Sequence, residues 1–184
     1  MGETLNQYVA FLRAINVGGH VVTMAKLRRH FVSVGLTDAE TFIASGNVLF
    51  TAATRALPTL ERKIEARLAE ALGYEVKTFI RTDAEVVAVS GHRAFPAARI
   101  ARAGAYSVGF LREPLGTSGV KALMGLKSEI DDFHVRGREL YWICKKGQSE
   151  SEVSNMVLER TLKVSTTLRG LKTIGKLVAK YDLK

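Results

Sequence analysis

Apolar positions along the chain come in two kinds, short continuous runs and helical stripes, and they alternate. Tyr8–Ile15 reads Tyr-Val-Ala-Phe-Leu-Arg-Ala-Ile, apolar but for one charge, which suits a central strand. Asn16-Val17-Gly18-Gly19 breaks the run, and Thr23 can cap the next element. Met24, Leu27, Phe31 and Val34 then recur at helical spacing until Gly35 stops the pattern. Glu40–Ala52 reads either as one long strand or as a hairpin. The hairpin is preferred: Thr41–Ala44, a Ser45-Gly46-Asn47 turn, then Val48–Thr51, because Gly and Asn tolerate positive φ. Pro58 opens a helix with the stripe Leu60, Ile64, Leu68 and Leu72, and Gly73 ends it. Val76–Arg81 is the next strand.

The second half runs in the same order. Ala105–Leu111 is a strand, Val120–Leu126 a short helix, and Ile130–Val135 with Glu139–Cys144 a hairpin around Arg136-Gly137-Arg138. Glu152–Leu162 follows as a helix, Val164–Thr167 as a short strand, and a last helix covers about Arg169–Tyr181. Each half is β-α-β-β-α-β, the split βαβ or ferredoxin-like plan, and the right-handed crossover rule leaves few other topologies. The expected fold is α+β, with two ferredoxin-like (βαββαβ) subdomains and a C-terminal helix. The expected boundaries are 1–82 and 104–184, with 83–103 as a linker that begins helical and passes through Gly91-His92-Arg93-Ala94-Phe95-Pro96. The repeat is read as one of element order, without sequence identity between the halves. A cleft between the two is the expected place for a ligand, since pockets favour domain junctions.

Composition narrows the class. The chain has 184 residues and 47% apolar content, enough for one ordinary domain or two small ones and too much for global disorder. A single cysteine, Cys144, excludes an intramolecular disulfide framework and a multi-cysteine zinc site. No apolar run approaches the roughly 18 residues that span a bilayer. The start, Met1-Gly2-Glu3-Thr4-Leu5-Asn6-Gln7, lacks the basic-then-apolar order of a secretory signal. The expectation is a soluble cytoplasmic protein without membrane contact. Twenty-seven basic residues against 18 acidic ones give +9, which favours anionic partners.

Five places could carry chemistry. The Asn16–His20 loop joins a strand to a helix. Gly18 and Gly19 would let a backbone approach a ligand, and the helix N-terminus favours an anion. It lacks the Gly-Lys-Ser/Thr of a phosphate loop and the third glycine of a dinucleotide fingerprint, and a tight strand-to-helix connection is the more common use of such a Gly-Gly pair. Ser45, Gly46 and Asn47 form either a recognition tip or ordinary turn chemistry. Arg13 is a charge in an apolar strand and must meet water, a partner charge or a ligand. Arg81, by contrast, ends its strand, where exposure is easy. The terminal helix is the clearest electrostatic feature. Lys172, Lys176 and Lys180 lie at i, i+4, i+8 on one face, and Arg169 extends the row by a turn. Such a ridge tracks a phosphate backbone or is simply a solvated face. The Lys145–Ser149 loop, capped by Ser149 or Ser151, adds a weaker phosphate candidate.

Catalytic sets are absent from the pattern. His20, His30, His92 and His134 are scattered without metal-ligand spacing, and no metal or cofactor is implied. Cys144 sits beside Trp142 and Ile143 as a buried thiol would. Asp131 and Asp132, adjacent in a strand, point to opposite faces.

The stretch Phe11–Gly19 followed by Met24-Ala25-Lys26-Leu27-Arg28 resembles the opening signature of the bacterial "domain of unknown function 1697" family. Thr41–Phe50 resembles its second signature. Glu139-Leu140-Tyr141 and Thr166-Thr167-Leu168-Arg169 with Thr173-Ile174-Gly175-Lys176-Leu177 resemble its C-terminal one. The resemblance covers nearly the whole chain and implies paired ferredoxin-like units, with no activity, cofactor or catalytic residue to carry over. It marks Asn16, Gly18, Gly19, Ser45, Gly46, Asn47 and Arg169 as signature positions. Where the family continues its Thr-x-x-Arg motif with Asn-Trp, this chain has Gly170-Leu171.

Three readings of function remain. The leading one is an anion-binding protein, for nucleic acid or a phosphorylated metabolite, through the Arg169–Lys180 ridge. The second is a small-molecule enzyme with its site near Arg13, Asn16, Gly18, Gly19, Ser45 and Asn47. The third is an interaction module using a sheet face or edge.

Overall fold

The computed structural model describes residues 5–16, 19, 21–43 and 46–184. The apolar runs become strands, except that Val164–Thr167 gives way to a strand three residues later, and the stripes of the helices face the sheets. In the first half, β1 (Asn6–Leu12), β2 (Thr37–Phe42), β3 (Asn47–Ala52) and β4 (Thr78–Thr82) pair antiparallel in the order β2-β3-β1-β4. Helix α1 (Met24–Ser33) is capped by Thr23, whose Oγ1 accepts from the Lys26 amide at 3.2 Å. Helix α2 (Leu57–Leu72) carries Pro58 in its first turn and ends at Gly73, φ +78°. Leu27 and Phe31 of α1 and Leu60, Ile64 and Leu68 of α2 pack on Tyr8, Ala10, Leu12, Val48, Phe50 and Ile80. Full burial of a Leu or Phe side chain stabilises by about 1.5–3 kcal/mol, so these stripes fix the helices to the sheet. The opposite face of this sheet carries Val9, Phe11, Leu49, Phe79 and Arg81, all buried.

The second half follows α3 (Asp83–Gly91) and a short α4 (Ala97–Ala101). It comprises β5 (Ala105–Phe110), α5 (Thr117–Met124), β6 (Asp131–Arg136), β7 (Glu139–Cys144), α6 (Asn155–Leu162), β8 (Thr167–Gly170) and α7 (Leu171–Tyr181). Its sheet order, β6-β7-β5-β8, repeats the first, antiparallel throughout. Leu123, Leu158 and Leu162 pack on Phe133, Leu140, Trp142 and Cys144. The chain divides into two units, Met1–Val86 with Leu183–Lys184, and Val87–Asp182. Each unit is a complete βαββαβ arrangement, the α+β plan expected from the element order.

Several boundaries differ from the sequence expectation. β1 ends at Leu12, not Ile15, because the chain leaves the extended region at Ala14, φ +60°. Arg13 therefore lies beyond the strand, its amide donating to Lys77 O at 2.8 Å. β2 starts at Thr37, four residues before Thr41, as a largely polar edge strand whose register shifts between Thr37 and Glu40. Helix α6 is capped by Ser154, whose Oγ accepts from Val157 N, rather than by Ser149 or Ser151. It stops at Lys163 in the left-handed region, so β8 forms three residues later than Val164–Thr167.

Candidate functional site

Asn16, Gly46 and Asn47, described sequence candidates of the first unit, lie at one end of its sheet. The β1–α1 loop and the β2–β3 hairpin meet through the Leu12–Gly46 hydrogen bond. Asn16 Oδ1 accepts from the Val22 amide at 2.7 Å and so closes its own loop, and Tyr74 Oη donates to Ile15 O at 3.0 Å. Asn47 is buried, and its Nδ2 donates to Phe42 O at 3.1 Å across the hairpin. Gly46 has φ +72°, and a Cβ there would stand 2.6 Å from Ile15 Cγ2. Both features demand glycine. Gly19 is exposed at φ +85°, with nothing near its Cα substituent position. Arg13 is half-buried beside this cluster. Gly18 and Ser45 lie outside the described residues. Asn16 and Asn47 thus use the groups named here to close their own loops, and the Gly46 carbonyl joins the two.

In the second unit Lys172, Lys176 and Lys180 all lie exposed on α7, whose other face buries Ile174 and Leu177. Successive lysines are separated by about 6 Å along the axis, from the 1.5 Å rise per residue. Arg169 does not extend this row. It belongs to β8, opposite Val108 of β5, and is buried; loss of hydration pushes its guanidinium down to about 10. Its Nη1 donates to Thr167 Oγ1 and Leu168 O, each at 2.8 Å.

Arg81, expected to be solvent-exposed, is also fully buried. It stands opposite Val9 of β1 as Arg169 stands opposite Val108 of β5, and its Nη1 donates to Ile80 O at 2.9 Å. The halves therefore share more than element order. Thr78-Phe79-Ile80-Arg81 and Thr166-Thr167-Leu168-Arg169 are the same Thr-x-x-Arg at the last strand of each unit, the second starting one residue before β8. Each threonine amide donates to a glutamate of the preceding helix, Thr78 N to Glu65 Oε1 (2.7 Å) and Thr166 N to Glu159 Oε1 (2.9 Å). Ile80 N donates likewise to Glu61 Oε1 at 2.8 Å, and Thr82 N to Glu85 Oε2 at 2.9 Å. A search for short spaced motifs, rather than for identity, would have found this echo.

Two further groupings in the second unit were invisible as patterns. His92 and His134, distant in sequence, stand 5.4 Å apart ring to ring, with Tyr141 4.9 Å from His92 and Arg136 Nη1 3.1 Å from its Nδ1. Burial, then Arg136 and His134, push His92 down from 6.5. Asp131 and Asp132 do face opposite ways. Asp131 is buried and accepts from Trp142 Nε1 (2.8 Å), Ser128 Oγ (3.0 Å) and Ser151 Oγ (2.8 Å). Asp132 accepts from Arg99 Nη1 at 2.6 Å and pairs with Lys127 at 2.7 Å. Burial raises its carboxyl, but the Lys127, Arg99 and Phe133 amide hydrogen bonds together hold it below 3.8. Cys144 is buried, and burial raises its thiol. Among the described residues no three His, Cys, Asp or Glu side chains cluster as metal ligands, and no helix is long and apolar enough to cross a membrane.

A duplicated βαββαβ unit with a motif repeated in its last strand defines the class: a tandem α+β protein. The chain belongs to the family described as "Protein of unknown function (DUF1697)", whose pattern matches residues 5–141. It is similar to a solved structure, that of the conserved bacterial protein SP0830 from Streptococcus pneumoniae, at a TM-score of 0.71 and 23% identity. That match covers 95% of this chain and 97% of the other, and it establishes a shared fold. No curated protein matches the chain.

Proposed function

We propose that this protein binds the phosphate backbone of a nucleic acid through its second unit. The distribution of charge supports this reading. Residues 87–182 hold 16 basic side chains against 9 acidic ones, +7 of the +9 total, whereas the first unit is close to neutral. Helix α7 carries no acidic residue and holds Lys172, Lys176 and Lys180 exposed in a line about 12 Å long. Its buried Ile174 and Leu177 fix which way that line faces. A linear array of cations suits a linear array of phosphates and releases counterions on binding.

The test is fluorescence polarisation with labelled single-stranded RNA and duplex DNA from low to physiological salt. Three phosphate contacts predict a log–log salt slope of about −2 for a single strand, from about −0.7 per contact. The triple variant Lys172→Glu, Lys176→Glu, Lys180→Glu should abolish that binding with an unchanged far-UV circular dichroism spectrum. Absence of binding at low salt, or an unaltered affinity in the triple variant, overturns the reading.

A further inference from the structure

A second basic feature of the same unit has a different shape. Helix α4 and the residues after it lie over the sheet face opposite α5 and α6. Phe95 packs against Tyr106 at 6.0 Å, and Arg99 stacks on Phe95 at 5.2 Å. Between α4 and the paired ends of β6 and β7 runs a groove of about 550 Å³. Its lining is mostly aliphatic, with Ile130 and Ile143 on the sheet side and Ala98 and Ala103 on the α4 side. Three cations, Arg99, Arg102 and Lys145, complete it.

We propose that this groove binds a small organic anion: one carboxylate or phosphate carried on an aromatic or acyl body. Its size falls within the roughly 300–1,000 Å³ of small-molecule sites. The aliphatic lining would be wasted on a bare phosphate or a nucleic-acid backbone, and the cationic rim disfavours a cation or a neutral lipid. The rim has charge to spare. Asp132 is shared between Arg99 and Lys127, so one carboxylate already answers two cations. Arg102 and Lys145 are exposed and, among the described residues, have no ion-pair partner. Arg99, held by Asp132 and by the Phe95 ring, is oriented before any ligand arrives.

The walls are also fixed. Lys145 N donates to Ile130 O at 2.8 Å, and Gly104 N donates to Lys145 O at 3.2 Å. A Cβ on Gly104 would lie 2.4 Å from the Lys146 backbone, so the strand end and the segment after α4 touch as backbones. The groove is therefore built into the unit and does not need a ligand to form.

The experiment titrates the full chain with 2-naphthyl phosphate and 2-naphthoate, and with the neutral 2-naphthylmethanol. Isothermal calorimetry gives affinity, and isoleucine-methyl NMR gives location. Both anions should bind and shift the Ile130 and Ile143 methyls, and the neutral alcohol should bind at least tenfold more weakly. Arg102→Ser with Lys145→Ser, two exposed positions, should weaken the anions about tenfold or more. Ala98→Trp, which fills the groove from an exposed helix position, should abolish binding even if the double variant misfolds. The lysine triple variant of α7 should bind 2-naphthyl phosphate as the native chain does, which separates this site from nucleic-acid binding. Equal binding of the neutral alcohol, unmoved Ile130 and Ile143 methyls, or retained affinity in Ala98→Trp overturns the proposal.

Discussion

Replacing Asp131 by alanine should destabilise the second unit by about 3 kcal/mol, and the reasoning runs through three donors. The carboxylate is 3% exposed and accepts from the indole N–H of Trp142 and from the hydroxyls of Ser128 and Ser151. Hydrogen bonds to a charged group contribute about 1.5–3 kcal/mol each when removed. Ser128 is exposed and Ser151 half-buried, so their hydroxyls can turn to water. The Trp142 indole, 2% exposed, has no such recourse, and its unmet N–H adds about 1–3 kcal/mol. Relief of the buried charge subtracts part of that total, which leaves the figure near 3. Asp131→Asn keeps an acceptor for the indole and should cost about 1–2 kcal/mol. Guanidinium unfolding followed by tryptophan fluorescence is the assay, because Trp142 is the chain's one tryptophan and lies on β7. An alanine variant within about 0.5 kcal/mol of the native chain, the range of an ordinary surface substitution, would refute the argument.

Two other substitutions test the first unit. Gly46→Ala places a Cβ 2.6 Å from Ile15 Cγ2 at φ +72°, so thermal unfolding should show a loss of about 1–3 kcal/mol from overpacking and strain together. His30 is buried, with no partner for Nε2 among the described residues, and burial, then Arg67 and Lys26, push it below 6.5. The unfolded chain therefore binds the extra proton first. His30 contributes full stability above about pH 6.5 and loses it as pH falls toward its lower folded value. Unfolding free energies between pH 5 and 7.5 should rise with pH less steeply in His30→Leu than in the native chain; equal slopes would show that His30 is not the group involved.

How much of this was legible depended on which residues carried the signal. Thr23, Gly35, Pro58 and Gly73 punctuate the chain by backbone chemistry of their own, and the elements they bound fall within a residue or two of expectation. β2 is different. Thr37–Phe42 is an edge strand with one buried residue, so a hydrophobic pattern locates only its end. β8 was displaced because Val164, an apparent core residue, is 41% exposed, whereas Thr166 and Thr167 are buried. Arg81 and Arg169 depart from the sequence expectation for one physical reason. Sequence rules place arginine in water, but a guanidinium that bonds the carbonyl beside it can be buried in a sheet. The sequence offers Asn16, Gly46 and Asn47 as signature positions and, in the enzyme reading, puts Asn16 and Asn47 near one cleft, but nothing in the pattern says whether they converge. Nor does it say that Asn16 and Asn47 use those side-chain groups on their own loops, since a hydrogen-bond partner has no sequence signature.

The glutamates beside β4 have a consequence for how this chain meets copies of itself at high concentration. Every amide on the outer side of that strand, at Thr78, Ile80 and Thr82, is already committed to a carboxylate. An incoming strand would have to displace three anions, one of them buried, before forming its first bond. The first sheet can accept a neighbour only along β2, and a ribbon that joins by one border cannot propagate. Crowded during synthesis or concentrated in a tube, the first unit's sheet should stop at pairs where an open-edged sheet would grow into fibres.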